Sequence, residues 1–162
     1  MALVVSRQNV PTLDRSRCAP AAGLARGAYV LCDADGGKPD VLLIGTGSEV
    51  AMCLAAHEQL TREGIASRVV SMPSWEIFER QDREYRESVL LPETKARVSV
   101  EKASTLGWDR YVGTEGASIG MTTFGASAPL AKLQKRFGFT VENVVSAARK
   151  QVETHGRGAS RA

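Results

Sequence analysis

One candidate phosphate ligand in this sequence is Arg7. It lies between Ser6 and Gln8, directly after the short apolar run at residues 3–5, which predicts a strand that ends in a loop. A guanidinium at a strand end can bind a phosphate group through two parallel hydrogen bonds. On spacing alone, an arginine on the solvated surface is the simpler interpretation, and phosphate binding is the alternative.

A second candidate anion site is the turn at residues 45–49, between the apolar run 41–44 and a segment with helical spacing. Backbone N–H groups at such a turn favour an anion. However, Val50 takes the place of the third glycine of a dinucleotide-binding motif, the lysine of a P-loop is missing, and Glu49 adds a negative charge. A structural turn with a helix cap is the simpler interpretation. The alternative is an anion bound by Gly45, Thr46, Gly47 and Ser48.

The other reactive side chains do not form a recognisable catalytic group. Cys53 and His57 are four residues apart and could touch on one helix face, but no third group orients them. We expect His57 and His155 to be surface histidines. The segment 33–36 resembles the start of a calcium-binding loop, but Ile44 replaces the glutamate that such a loop needs. We therefore expect a solvated hairpin turn there, and we predict neither a metal site nor a catalytic residue.

Composition limits the class of protein. The chain has 162 residues, of which 43% are hydrophobic, and its charges nearly cancel to +3. This suits one domain with a solvated surface, and it disfavours a nucleic-acid partner, which needs clustered positive charge. No apolar run approaches the length of a membrane span. Three cysteines, Cys18, Cys32 and Cys53, without CxxC spacing indicate reduced thiols in a cytoplasmic protein rather than zinc or a disulfide framework.

Strand and helix patterns alternate along the chain. The apolar and β-branched runs predict strands at 28–32, 41–44, 67–72, 96–101 and 117–120. Helical spacing predicts helices at 48–63, 75–78, 82–89, 127–137 and 140–151, and a helical turn within 106–112. The alternation predicts an α/β fold, a three-layer sandwich with a mixed, mostly parallel sheet of about five strands. Because a tight turn joins the first two of these strands, we expect that pair to be antiparallel.

Several local signals give finer expectations. Thr46 and Glu49 have the spacing of a capping box at the start of the long helix. Its apolar stripe is predicted to be Val50, Leu54 and Leu60, with Ala51 and Ala55. Ser127 is predicted to open a later helix that carries Pro129 in its first turn, and Gly138 to close it. Residues up to 27 read as a connector with little core of its own.

Seven segments, in order along the chain, resemble transketolases. They are SRQNVP at 6–11, GTGSEV at 45–50, RVVSMPS at 68–74, YRESVL at 85–90, YVG at 111–113, GMTTFGASAP at 120–129 and FGFTVENVV at 137–145. Together they cover the chain from about residue 3 to residue 151. The resemblance is to the C-terminal third domain alone, and it implies a division into the end of a preceding domain and a linker (1–27), the C-terminal domain (28–152) and a disordered tail (153–162).

The resemblance implies where the chemistry of such an enzyme lies. Transketolases bind thiamine diphosphate and a divalent metal, Mg or Ca, between their first two domains in a homodimer. They transfer a two-carbon ketol unit from a ketose phosphate to an aldose phosphate in the pentose phosphate pathway. Arg7 matches the family arginine that binds the substrate phosphate, and the catalytic residues match nothing in this chain.

The isolated chain is therefore expected to be inactive, to carry no cofactor and to serve packing and dimer assembly with the remaining transketolase domains. One alternative is a stand-alone assembly subunit that docks on partner chains. Another is a regulatory module that binds an anion or nucleotide through the turn at 45–48.

Overall fold

The computed structural model describes residues 8–155. Arg7, the strand predicted at 3–5 and the tail from residue 156 lie outside the described residues. The strands are β1 (Tyr29–Cys32), β2 (Val41–Gly45), β3 (Ser67–Ser71), β4 (Arg97–Ser104) and β5 (Ala117–Met121). The helices are α1 (Val50–Arg62), α2 (Trp75–Glu79), α3 (Arg83–Leu90), α4 (Asp109–Val112), α5 (Leu130–Phe137) and α6 (Val141–His155).

The five strands form one mixed sheet in the order β1-β3-β2-β4-β5. β2 pairs in parallel with both β3 and β4, and β4 pairs in parallel with β5. β1 is antiparallel, but it pairs with β3, so the expected hairpin between β1 and β2 was wrong. Both edges of the fully buried β2 are already occupied by parallel neighbours, and β1 takes the free edge of β3. Its register shifts between Val30 and Cys32.

Helices cover both faces of the sheet, which confirms the three-layer α/β sandwich. Alternation along β2 places Val41 and Leu43 in one apolar cluster and Leu42 and Ile44 in another. The first cluster includes buried residues of α1 and α6, and the second includes buried residues of α2, α3 and α4. All four of these β2 side chains are fully buried, as expected for a central parallel strand.

The buried face of α1 differs from the predicted stripe. Its buried residues are Val50, Cys53, Ala56 and Leu60. The side chains of Leu54, Ala51 and Ala55 instead line a cavity against chain segment 11–18. The small residues on the sheet side allow close approach, since a Cβ on Gly45 would lie 3.0 Å from the Cys53 sulfur and 3.1 Å from the Val50 backbone.

Two predicted helix starts were wrong. Thr46 precedes a short 3-10 turn and makes no side-chain cap hydrogen bond, so the capping box does not form. α5 begins at Leu130, and Pro129 rather than Ser127 takes the cap position. The ring of a proline disfavours helical backbone angles at the residue before it. A helix that started at Ser127 would need such angles at Ala128, directly before Pro129. The predicted stop at Gly138 is confirmed, with φ of 77°.

Both ends of the described chain contain more packed or helical residues than their sequence patterns predicted. Within the predicted connector, residues 21–26 form a 3-10 helix, and Leu13, Cys18 and Ala19 pack against the core. We call residues 8–19 the strap, because they run across α1 to β1, where the Ala19 N–H donates to the Leu31 carbonyl at 2.8 Å. At the other end α6 continues to His155, so residues 153–155 of the predicted tail are helical.

Candidate functional site

A cleft of about 900 Å³ lies at the carboxyl ends of the central strands. Its walls are strap residues 8–11, the turn after β2, Lys102 of β4, and α5 with the loop that follows it. From β2 the chain crosses to β3 on one side, and from β4 it crosses to β5 on the other. Ligands of open α/β sheets bind where neighbouring connections diverge in this way. We call this the switch cleft.

A buried ion pair fills the turn beside the switch cleft. The Glu49 side chain is only 7% exposed. It lies 2.9 Å from the Lys102 ammonium, and it accepts hydrogen bonds from the Lys102 backbone N–H at 3.2 Å and from the Ser48 hydroxyl. The pair joins the start of α1 to β4, and it places a negative charge near a helix N-terminus, where such charge is favoured.

This geometry bears on the anion site predicted at the turn. Of its four residues, Ser48 lines the switch cleft and the other three do not. The Ser48 hydroxyl already donates to Glu49, and the Lys102 ammonium is already paired with the same carboxylate. The arrangement favours the structural interpretation of the turn, and anion binding there stays a prediction.

The surroundings of Cys53 and His57 differ. Cys53 is fully buried beneath β2, and burial raises the pKa of its thiol to about 12, which is unsuited to a nucleophile. His57 is half-buried rather than a simple surface residue, and its Nδ1 lies 2.8 Å from the Ser67 hydroxyl oxygen. Burial lowers the pKa of His57, chiefly through lost solvation. Neither residue lines the switch cleft.

Asp33 lies in an ion pair instead of a solvated hairpin turn. Its two carboxylate oxygens accept from Arg68 of β3 at 2.8 and 2.7 Å. The Arg68 side chain is 7% exposed and also donates to the carbonyls of Ser88 and Val89. This contact ties the end of β1 and the end of α3 to the sheet. The sequence signal that was missed is an arginine inside the β-branched strand at 67–71.

The described part of the chain does not fit a metal–diphosphate cofactor. Within residues 8–155, no three His, Cys, Asp or Glu side chains come together as a metal site. The turn at the switch cleft presents a buried carboxylate rather than the lysine of a phosphate-binding loop. Within the same residues, no helix has both the length and the apolarity to cross a membrane.

Large apolar side chains are exposed at the carboxyl edge of the sheet. Phe124 after β5 is 98% exposed and Leu106 after β4 is 85% exposed. Val10 and Leu130 on the walls of the switch cleft are about half exposed. We call these four residues the apolar rim. α5 borders the rim and has no buried residue. Large apolar side chains that stay exposed near one edge of a sheet are candidates for an interaction surface.

Comparison with known proteins gives consistent matches. Residues 27–140 match the family described as "Transketolase-like TK C-terminal domain". Transketolase 1 of Escherichia coli K12 is 51% identical over 149 residues, which are 92% of this chain and 22% of that protein. The transketolase of Halalkalibacterium halodurans is 47% identical over 152 residues, 94% of this chain and 23% of that protein.

A solved structure agrees with these sequence matches. A transketolase of Pichia stipitis in complex with sedoheptulose-7-phosphate has a TM-score of 0.79 and 36% identity to this chain, covering 91% of it and 20% of the solved chain. This chain spans only 22% to 28% of the length of the curated relatives it matches.

Proposed function

This chain belongs to the family of transketolase-like C-terminal domains, and we propose that it works as the C-terminal domain of a transketolase. In the complete enzyme, a ketol unit passes from a ketose phosphate to an aldose phosphate, in the pentose phosphate pathway of the cytoplasm. Thiamine diphosphate and its divalent metal are held by the other domains of a homodimer. The observation that carries this proposal is the family match across residues 27–140.

The apolar rim supports a role in assembly. Phe124 is almost completely exposed, and residues 122–129 carry no regular secondary structure. α5 has a polar and an apolar face but no buried residue. Covering exposed apolar area of this kind with a partner removes it from water and stabilises the complex. We assign the rim and α5 to packing against the remaining transketolase domains.

Arg7 is the residue we propose to contact substrate. It immediately precedes Gln8, whose side chain lines the switch cleft, so the strap joins the proposed phosphate ligand to the wall of that cleft. A guanidinium matches a phosphate group through two charge-assisted hydrogen bonds. The sugar phosphate bound to the Pichia stipitis relative is a ligand of the proposed class.

A hybrid enzyme tests the proposed function. The C-terminal domain of Escherichia coli transketolase 1 is replaced by this chain, and ketol transfer between sugar phosphates is measured. We expect the hybrid to be active, because the reacting groups stay on the Escherichia coli part. The isolated chain should show neither turnover nor heat of binding when titrated with thiamine diphosphate and Mg²⁺. Tight binding of that cofactor to the isolated chain, or a folded hybrid without activity, would contradict the proposal.

Arg7→Ala in the active hybrid should raise KM for the ketose phosphate by about 30-fold, since about 2 kcal/mol of charge-assisted hydrogen bonding is lost. The effect should fall on KM rather than kcat, because the phosphate group does not react. A ketose donor without a phosphate group should react equally well with the hybrid and with its Arg7→Ala variant. Arg83→Ala, which removes an exposed arginine on α3, is the charge-matched control. Equal effects of the two substitutions would rule out the assignment of Arg7.

A further inference from the structure

Two of the three cysteines are in contact. The sulfur atoms of Cys18 in the strap and Cys32 at the end of β1 lie 3.4 Å apart. The neighbouring Ala19 N–H donates to the Leu31 carbonyl at 2.8 Å, so the backbone holds the strap beside the strand at this point. Both thiols are free and half-buried. The sequence pattern does not predict this contact, because the two residues are 14 positions apart and do not form a short cysteine motif.

The pair is open to small molecules. Cys18 and Cys32 line a cavity of about 300 Å³ between the strap and α1. Cys53 does not line this cavity and is fully buried on the sheet side of α1. A reagent of the size of a small thiol can therefore reach the first two sulfurs and is kept from the third.

We propose that Cys18 and Cys32 form a reversible regulatory disulfide by exchange with a low-molecular-weight disulfide. The Cys18 thiolate attacks one sulfur of the small disulfide, whose S–S bond breaks and releases one thiolate. The Cys32 thiolate then attacks the Cys18 sulfur of the mixed disulfide and releases the second small thiolate. Two protein thiols are oxidised, one small disulfide is reduced to two thiols, and the two protons leave with those thiols.

The burial and the hydrogen bond of Cys32 favour Cys18 as the first nucleophile. A disulfide bond is about 2.05 Å long, so the sulfurs must approach by about 1.4 Å from their present separation. Burial raises the pKa of Cys32 to about 12, with the neighbouring Cys18 as a lesser cause. The Cys32 thiol also donates to the Arg17 carbonyl at 3.3 Å. Because the thiolate is the nucleophile, Cys18 reacts first and Cys32 resolves the mixed disulfide.

The disulfide would restrain one wall of the switch cleft. It would tie the strap covalently to the edge of the sheet, and residues 8–11 of the strap form one wall of that cleft. The position of this wall would then depend on the balance of oxidised and reduced small thiols. The oxidised form would have the more rigid wall.

Peptide mapping of the full chain tests the disulfide. The protein is equilibrated with mixtures of reduced and oxidised glutathione, quenched with acid and digested without reductant. Trypsin and Glu-C place Cys18, Cys32 and Cys53 on separate peptides, 18–26, 27–49 and 50–58. We expect the first two peptides to be linked, with a mass two hydrogen atoms below their sum. The peptide with Cys53 should keep a free thiol.

Single cysteine variants test which thiol attacks first. Cys32→Ser should leave a glutathione adduct on Cys18, whereas Cys18→Ser should leave Cys32 mostly unmodified. In the wild-type protein, oxidation should slow amide hydrogen exchange of Ala19 about tenfold, since local opening of the strap is restrained.

Three results would overturn the proposal. They are a glutathione adduct on wild-type Cys18 without linked peptides, a disulfide that includes Cys53, and free thiols throughout in excess oxidised glutathione. Because mapping of the wild-type protein decides each of them, a variant that fails to fold does not weaken the test.

Discussion

Replacing Glu49 by alanine is expected to lower the free energy of unfolding by about 4 kcal/mol. The substitution leaves the Lys102 ammonium, whose side chain is 24% exposed, without its partner at 2.9 Å. It also removes the acceptor of the Lys102 backbone N–H. Both losses contribute to this cost, because the remaining ammonium is only partly solvated and the backbone N–H loses a charged acceptor. Urea unfolding followed by circular dichroism measures the change through its midpoint and slope.

Glu58→Ala is the matched control for this prediction. Glu58 lies on the same helix, and its contact with Arg17 spans 3.5 Å between side chains that are mostly exposed. We expect a loss below about 0.5 kcal/mol, as for other surface ion pairs. The double substitution Glu49→Gln with Lys102→Met should recover much of the stability lost in Glu49→Ala, because no buried charge remains. A loss for Glu49→Ala as small as that of the control would show that the pair contributes little.

Asp33→Ala should cost about 3 kcal/mol of stability, since it removes two charge-assisted hydrogen bonds from a buried guanidinium. Arg68 would keep its hydrogen bonds to the carbonyls of Ser88 and Val89, but neither carries a negative charge. Asp33 itself is partly exposed, so water can enter the space left by its side chain. The expected loss is smaller than at Glu49, because this water can solvate Arg68, whereas Glu49→Ala also leaves the Lys102 backbone N–H without its acceptor.

Asp35→Ala is the control that distinguishes loss of the ion pair from general effects of changing this loop. Asp35 is exposed, lies two residues away and makes no ion pair among the described residues. Its substitution should change stability by less than about 0.5 kcal/mol. Thermal unfolding of both variants at one pH gives the comparison. If Asp33 and Asp35 gave equal losses, the contact with Arg68 could not be the cause.

Local sequence patterns predicted most of the secondary structure. The continuous apolar run at 41–44 could only be a strand covered on both faces, and β2 is fully buried. Gly138 was predictable as the end of α5 because a left-handed backbone suits glycine. Alternating strand and helix patterns were enough to predict the three layers. These signals succeed because each depends on residues close together in the chain.

The features that failed depend on contacts between distant residues. Glu49 has the spacing of a capping residue, but its carboxylate bonds to Lys102, which lies 53 positions further along the chain. The strand beside β1 was mispredicted because the pairing of β2 with β3 and β4 decides which edge is free. Val50 and Leu60 of the stripe predicted on α1 are buried, but Leu54 lines the cavity against the strap, which the local pattern could not show. No window of local sequence contains these partners.

The candidate site was only partly predictable. The turn at 45–48 and the negative charge of Glu49 beside it could be located from the sequence, but the contact of that carboxylate with Lys102 could not. The role proposed for Arg7 comes from the family resemblance and not from spacing, and Arg7 lies outside the described residues. The contact between Cys18 and Cys32 and the walls of the switch cleft appear only when the strap is folded against the sheet.

The shifted register of β1 has a consequence for self-association. The irregularity between Val30 and Cys32 bends the outer strand, and the strap already takes up the Leu31 carbonyl there. A second molecule approaching this border would therefore find few regularly spaced backbone partners. At the opposite border, among residues 8–155, β5 pairs only with β4, and this pairing is regular from Ala117 to Ile119 before its own register shift. Strand-to-strand aggregation of the partly unfolded protein is therefore expected to start from this part of β5.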